Sequence, residues 1–442
     1  MSRRIKKLTP GPTEASIESL SHEGRGMVHI AGKAVFIDGA LPGEKVLFRY
    51  TRRHSRYDEG IVTEVCIPAE KRVEAKCPHF GQCGGCSLQH LLPQEQIQHK
   101  QRVLLDQLKH IGGVQPEITL PAVTGPLWGY RHKARLGVKY VMKKEKLLVG
   151  FREKQSRFMA GLSGCQVLNP RVGTRIPALQ ELIRNLSIYD RIPQIEVAVG
   201  DRGTALVLRH LQSMTEADLQ KLKIFQTDSG ISLFLQAKGP DSVVPLDETT
   251  DTYLSYRLDR YDLVFRFYPT DFTQINFAIN RFMIDRVMEL LEPEERDSIL
   301  DLFCGLGNFS LPLAKHSRQV TGIDSAEGLL ERARQNAHDN NIGNVTFHGV
   351  DLMQKNGIEA DFLNNPYRKI LLDPPRSGAR EILGRLDLDS AENIVYVSCN
   401  PSTLARDAGF LVNARGFRLK QAGVMDMFPH TAHIESIASF QR

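Results

Sequence analysis

From Ser298 onward the chain alternates short apolar runs with helical patterns, and no other feature limits its fold as much. The runs S-I-L-D-L-F, Q-V-T-G-I-D, V-T-F-H-G-V, K-I-L-L-D-P-P and N-I-V-Y-V-S-C have strand length and carry many β-branched residues. N-F-S-L-P-L-A-K-H-S, S-A-E-G-L-L-E-R-A-R-Q-N-A-H-D-N-N, A-R-E-I-L-G-R-L and P-S-T-L-A-R-D-A-G-F-L-V-N-A-R-G separate or follow them with helical spacing. Repeated strand-helix-strand connection predicts a mostly parallel sheet with helices on both faces. F-R-L-K-Q-A-G-V-M-D-M-F-P and H-I-E-S-I-A-S-F-Q then read as two further strands.

The strands of such a sheet end on polar residues. In D-L-F-C-G-L-G-N-F (301–309) a strand runs into a turn in which Gly305 and Gly307 let the backbone bend and approach a ligand. The dinucleotide pattern G-x-G-x-x-G is absent, because position 310 is Ser. The next strand ends on Asp324, whose carboxylate can accept both hydroxyls of a ribose, and a third ends near Asp351. These tips predict a nucleotide crevice at the point where strand order reverses. The arrangement resembles S-adenosylmethionine-dependent methyltransferases of the Rossmann-like class. An NAD enzyme or a non-catalytic nucleotide binder is the alternative, disfavoured by the missing fingerprint.

Two more strand ends carry chemistry. In L-L-D-P-P-R two prolines stiffen the loop that presents Asp373. Arg376 stands where adenine-amine methyltransferases carry an aromatic ring, so an adenine amine is not the expected target. In S-C-N-P, Asn400 suits an N-cap and Pro401 the first helical position. Cys399 then sits before a helix N-terminus, whose dipole should favour the thiolate. A thiolate added to C6 of a pyrimidine makes C5 nucleophilic enough to take a methyl group, and a base must then remove the C5 proton. M-F-P-H-T-A-H-I-E-S offers that base, with Glu435 the first choice and His433 expected on the same side of the strand. A buried cysteine used for packing is the bland reading, weakened by the neighbouring motifs.

D-L-F-C-G-L-G-N-F, L-L-D-P-P-R, V-S-C-N-P and F-P-H-T-A-H-I-E, in this order, resemble the RNA uracil-5-methyltransferase family. The resemblance implies catalysis by Cys399 and Glu435. It also implies S-adenosylmethionine contacts from Gln274, Phe303, Asn308, Asp324, Asp351 and Asp373. Gln274, in T-D-F-T-Q-I-N, comes from the resemblance alone. A cytosine-5 methyltransferase, which also uses a C6-attacking cysteine, is the nearest competing enzyme. A ribosome-assembly protein with a vestigial catalytic half is the competing non-enzyme.

The rest of the chain points to RNA. Its 442 residues suggest about three domains at roughly 150 residues each. Hydrophobic content of 41% and charged content of 24% describe a soluble globular chain, and a net charge of +6 permits a polyanionic partner. The basic stretches Arg3–Lys7, Arg49–Arg56 and Gly129–Arg135 shift the expectation toward nucleic acid. Residues 12–70 alternate short apolar runs with glycine turns and predict a small antiparallel barrel, five-stranded and of OB type. P-Q-E-Q-I-Q-H-K-Q-R-V-L-L-D-Q-L-K-H-I-G-G reads as a helix with Pro93 near its start and Gly112 just past its end. Residues 115–268 are mixed and mostly strand-like, without a derivable topology.

Seven cysteines, an odd number, with no export signal at the start, favour metal binding or catalysis over disulfides. Cys77, Cys83 and Cys86, with Cys165 farther on, could hold zinc or an iron–sulfur cluster. The resemblance implies [4Fe-4S] on these four. It further implies a TRAM domain at 12–70 for RNA binding, a central α+β domain with the cluster at 71–268, and the methyltransferase domain at 269–442. The ribosomal branch of the family combines cluster and TRAM, so 23S rRNA is the implied partner. No apolar run reaches about 18 residues, so no transmembrane helix is expected. A cytoplasmic monomer without membrane association is expected.

Overall fold

The computed structural model describes residues 11–354 and 361–442. The basic run Arg3–Lys7 lies outside the described residues. The chain forms two compact units. One holds Met1–Val103 with Glu153–Ser156 and Phe428–His433; the other holds Leu104–Arg152, Arg157–Met427 and Ile434–Arg442. No described helix is long and apolar enough to cross a membrane.

The first unit is built on a β-sheet. Its strands lie in the order Thr13–Ser16, Lys45–Arg53, Tyr57–Ile67, Lys33–Asp38, Gly26–Ile30, Ser19–Leu20. The two outermost strands are separated in sequence only by Ile17 and Glu18, whose amides donate to Glu44 O and Met27 O at 2.9 Å each. One bent segment thus pairs at both edges, and the sheet closes into a five-stranded barrel as alternation predicted. The all-antiparallel expectation needs correction: Lys33–Asp38 pairs with Tyr57–Ile67 in parallel. That strand first forms a hairpin with Lys45–Arg53, which fixes its direction before it meets Lys33–Asp38. Inside lie Val28, Val35, Ile37, Val46 and Phe48. Gly60 is required there, since a Cβ would stand 2.6 Å from Phe48 Cδ2. The helix expected after the cysteine loop runs over Pro93–Gln107, tightens into a π-helical turn over Leu108–Gly112 and stops at Gly113 with φ 65°.

The second unit carries two large sheets. Six strands form one, in the order Val243–Pro245, Ser232–Gln236, Thr204–Arg209, Gln194–Val199, Lys133–Val141, Lys146–Gly150. The other is the predicted parallel sheet: β1 (Ser298–Leu302), β2 (Gln319–Asp324), β3 (Val345–Gly349), β4 (Lys369–Leu372), β5 (Asn393–Ser398), β6 (Arg418–Met425) and β7 (Glu435–Gln441). Their order is β3-β2-β1-β4-β5-β7-β6, and Ile118–Thr119 adds a short parallel strand outside β6. β1 to β5 run parallel, and β7 inserts antiparallel between β5 and β6. Every residue of β4 and β5 is buried, as expected for strands covered on both faces. Order reverses between β1 and β4, which opens the crevice at their carboxyl ends. Helices α1 (Phe277–Leu291), α2 (Glu327–Asp339) and α3 (Pro401–Arg415) are the long ones of this half.

Candidate active site

The turn after β1 is held by the end of β2. The amides of Phe303 and Cys304 both donate to Ile323 O, at 2.8 and 3.1 Å. Phe303 adopts φ 65°, a left-handed conformation that costs a residue with a Cβ about 1 kcal/mol. Gly305 and Gly307 follow with φ 55° and 87°, the bend their sequence positions predicted. Asp324 closes the turn, with Oδ2 accepting from the Gly305 amide at 3.0 Å and Oδ1 from the Ala326 amide at 2.9 Å. Each of its oxygens keeps a lone pair for a diol. Asp351 lies one residue beyond Val350, whose amide donates to Asp324 O. It is exposed and accepts from the Met353 amide at 2.9 Å.

Asn308 is more occupied than its sequence position suggested. Its Oδ1 accepts from the Tyr256 hydroxyl at 2.8 Å and from Asn280 Nδ2 at 3.0 Å, while its Nδ2 donates back to Asn280 Oδ1 at 2.9 Å. Tyr256, from the strand Leu254–Leu258, is buried and stacks on Phe265 with ring centroids 4.9 Å apart. Neither Tyr256 nor Asn280 belongs to a recognisable motif, and sequence reasoning missed both.

Two carboxyls stand at the ends of β1 and β4, Asp301 buried and Asp373 partly so. Asp301 is fully buried, takes the Ser310 hydroxyl on Oδ2, and is pushed up to about 7 by burial and then by Asp373 and Asp324. Burial pushes Asp373 up to about 7 as well. Gln274 Nε2 donates to Asp373 Oδ2 at 3.3 Å, so the residue that came from resemblance alone meets one that came from chemistry. The loop carrying Gln274 is tied down by the basic run 129–135. Lys133 Nζ donates to Pro269 O at 2.5 Å, and the His132 amide donates to Ile275 O at 2.8 Å. Two members of that run therefore hold backbone, where the sequence had suggested a nucleic-acid face. The set fits an adenosyl sulfonium: a turn that admits a ligand backbone-close, an acid for a diol, and a buried acceptor, Asp301 Oδ1, without a hydrogen-bond partner.

Cys399 and Glu435 come together through strand register. Ser398 at the end of β5 pairs with Ser436 of β7, and the Ser436 hydroxyl donates to Ser398 O at 3.0 Å. Continuing the antiparallel register by one residue sets Cys399 opposite Glu435. Asn400 caps α3 as predicted, accepting from the Ser402 amide at 3.2 Å, with Pro401 at the first helical position. Its Nδ2 also donates to Arg376 O at 2.8 Å, which stitches the β4 loop to the β5 loop.

Two expectations are corrected here. Cys399 was expected to have a depressed pKa; burial, then Glu435 and Asp373, push it up to about 11, with Arg376 opposing them. Desolvation and two carboxyls outweigh one helix terminus. His433 was placed on the same side of a strand as Glu435, but β7 begins at Glu435, so alternation does not reach His433. His433 is exposed, whereas Glu435 is buried, and its carboxyl is held well above the usual range by burial and by Asp373.

Cys77, Cys83 and Cys86 lie on a loop of the first unit built from short turns, such as Cys83 N to His79 O at 2.9 Å. Cys165 belongs to the second unit. Among the described residues no group of three or more His, Cys, Asp or Glu side chains is arranged to hold a metal ion. The four thiols have the right chemistry for a cluster.

The profile of the family described as tRNA (Uracil-5-)-methyltransferase matches residues 94–442. The chain is 51% identical over 437 residues to the 23S rRNA (uracil(1939)-C(5))-methyltransferase RlmD of Methylococcus capsulatus, covering 99% of this chain and 98% of that protein. It is 52% identical over 439 residues to the protein of the same name from Nitrosococcus oceani, covering 99% and 98%. The crystal structure of Pyrococcus abyssi tRNA (uracil-54, C5)-methyltransferase in complex with S-adenosyl-L-homocysteine shares the fold. Its TM-score is 0.73 at 24% identity, covering 97% of this chain and 100% of that one. The strand order, the acidic strand tips and the facing thiol and carboxyl are thus set in a chain that belongs to the tRNA (uracil-5-)-methyltransferase family.

Proposed function

We propose that this protein methylates C5 of a uridine in 23S rRNA, the uridine named 1939 in its half-identical relatives. The observation that carries the reading is the register that sets Cys399 against Glu435 beside Asp373. When bound, S-adenosylmethionine supplies an electrophilic methyl group on a sulfonium. Gln274, Phe303, Asn308, Asp324, Asp351 and Asp373 form its site, with Asp324 on the ribose. Cys399 as its thiolate adds through sulfur to C6 of the uracil, which places the electron pair on C5, and with the donor bound that pair would take the methyl group. Glu435 then takes the C5 proton, and the C6–S bond breaks to restore the ring and release the thiolate. The target base must leave its stack, because C6 is covered in a helix.

The domain assignment follows the same reading. Residues 12–70 act as a TRAM-type RNA-binding barrel, 71–268 as the central domain and 269–442 as the methyltransferase domain, in a cytoplasmic monomer. A [4Fe-4S] cluster on Cys77, Cys83, Cys86 and Cys165 is supported by four thiols in a chain without a disulfide pattern. No step of the reaction runs through it. Iron and acid-labile sulfide measured per chain, before and after Cys83→Ser, test it; zinc without sulfide would replace it.

The function is tested with 5-fluorouridine-substituted 23S rRNA and S-adenosylmethionine. Fluorine cannot leave C5 as a proton, so the adduct to Cys399 persists as a band under denaturing conditions. Loss of the band in Cys399→Ala supports the reading. A band on a tRNA and none on rRNA would move the substrate, and a band retained in Cys399→Ala would overturn the mechanism.

A further inference from the structure

The amide of Asn308 can be counted out atom by atom. Its oxygen has two lone pairs, and both are taken, by the Tyr256 hydroxyl at 2.8 Å and Asn280 Nδ2 at 3.0 Å. Its nitrogen has two hydrogens, and one is given to Asn280 Oδ1 at 2.9 Å. What Asn308 can still offer is one N–H. The reciprocal amide pair locks the side chain to α1, and the hydroxyl locks it to the strand Leu254–Leu258. Tyr256 is itself fixed, stacked on Phe265 at 4.9 Å and tilted against Phe277 at 5.1 Å. Two elements outside the glycine turn therefore converge on one side chain within it.

We propose that Tyr256 and Asn280 are positioning residues of the donor site, which aim the remaining N–H of Asn308 at an acceptor atom of the bound donor. The inference rests on the donor reading above and extends it. Asn308 serves as a hydrogen-bond donor to the ligand, and its oxygen is withheld from it. A ligand ammonium is then never its partner; a ligand oxygen or ring nitrogen is. The brace also explains why a short polar side chain can act from a turn with three residues at positive φ, since the turn alone does not fix its amide.

The probe is S-adenosyl-L-homocysteine, titrated calorimetrically into the full chain and its variants. Tyr256→Phe keeps the stacked ring and removes the hydroxyl. It should weaken binding about tenfold, the worth of a buried hydrogen bond. Its KM for RNA should match wild type, and its thermal midpoint should fall by no more than the loss of one buried hydrogen bond predicts. Asn308→Asp puts an acceptor where the N–H stood and should weaken binding more than Tyr256→Phe does. Asn280→Asp cannot donate to Asn308 Oδ1 and should fall with Tyr256→Phe. Equal affinity in wild type and Tyr256→Phe, or undiminished affinity in Asn308→Asp, overturns the brace while leaving the donor reading intact. No binding by wild type would remove the donor reading and the brace together.

Discussion

At the scale of single residues, the site is a problem in buried charge. Cys399 is pushed up to about 11, so at neutral pH it is a thiol. Alkylation of the Cys399 peptide by iodoacetamide, followed by mass spectrometry, should therefore keep accelerating above pH 9 instead of levelling near the ordinary cysteine value of about 8.5. Glu435→Gln removes one of the charges that raise it and should speed alkylation at pH 9 severalfold; a slower rate would contradict the electrostatic account. Asp301 gives a stability test. Its folded pKa of about 7 lies above an unfolded value of about 3.9, so the folded chain holds this proton more tightly. The stability it contributes is full below about pH 4 and is lost as pH rises to about 7. Asp301→Asn keeps an oxygen for the Ser310 hydroxyl and carries no charge. In urea unfolding it should match wild type near pH 4 and exceed it by roughly 4 kcal/mol at pH 8. A gap independent of pH would show that Asp301 is not the titrating group. The residues legible in sequence were those whose type is unusual at a strand end: Asp324, Asp373, Cys399. Tyr256 and Asn280 were illegible because a tyrosine in a strand and an asparagine in a helix look like packing until their partners are known.

At the scale of elements, the helix that begins after Cys399 is set by a cap and by a close approach. Asn400→Ala removes the acceptor for the Ser402 amide and the donor to Arg376 O. It should cost about 1 kcal/mol of stability and slow the adduct with fluorouridine RNA by more than that loss predicts, because two reacting loops separate. Farther along α3, Gly409 lies against the π-helical turn Leu108–Gly112: a Cβ there would stand 2.6 Å from Gly112 O. Gly409→Ala should destabilise the chain by roughly 1–3 kcal/mol in thermal or urea unfolding, and an unchanged midpoint would mean the two elements separate at no cost. The cap was readable from S-C-N-P because capping chemistry is local. The Gly409 contact was not, since a glycine inside a helix announces a neighbour without naming it. The parallel pair in the barrel was hidden for a related reason: alternation fixes which face a strand buries, not which neighbour it meets or in which direction.

At the scale of the whole molecule, the order of residues along the chain is not the order of its compact units. The barrel core, from Ala15 to Tyr50 with Val62 and Val65 packed on it, lies within one continuous stretch. The remainder of the first unit does not. Leu41, Leu88 and Leu91 pack with Ala432. The Ser87 and Leu88 amides both donate to His430 O at 2.9 Å, and Gln96 Oε1 accepts from the His430 amide at 2.9 Å. A segment near the end of the sequence thus completes a layer begun near its start. Sequence patterning could not show this, because periodicity reports burial and not the partner that provides it. A fragment of residues 11–68 contains its own core and should unfold cooperatively, though marginally for its size. A fragment of residues 11–103 lacks His430 and Ala432, so its added part should exchange amide hydrogens rapidly and be cut by trypsin while the barrel resists. Adding a peptide spanning 428–433 at high concentration should restore part of that protection by mass action. Protection of residues 87–96 without the peptide would mean that this layer is held by the first stretch of chain alone.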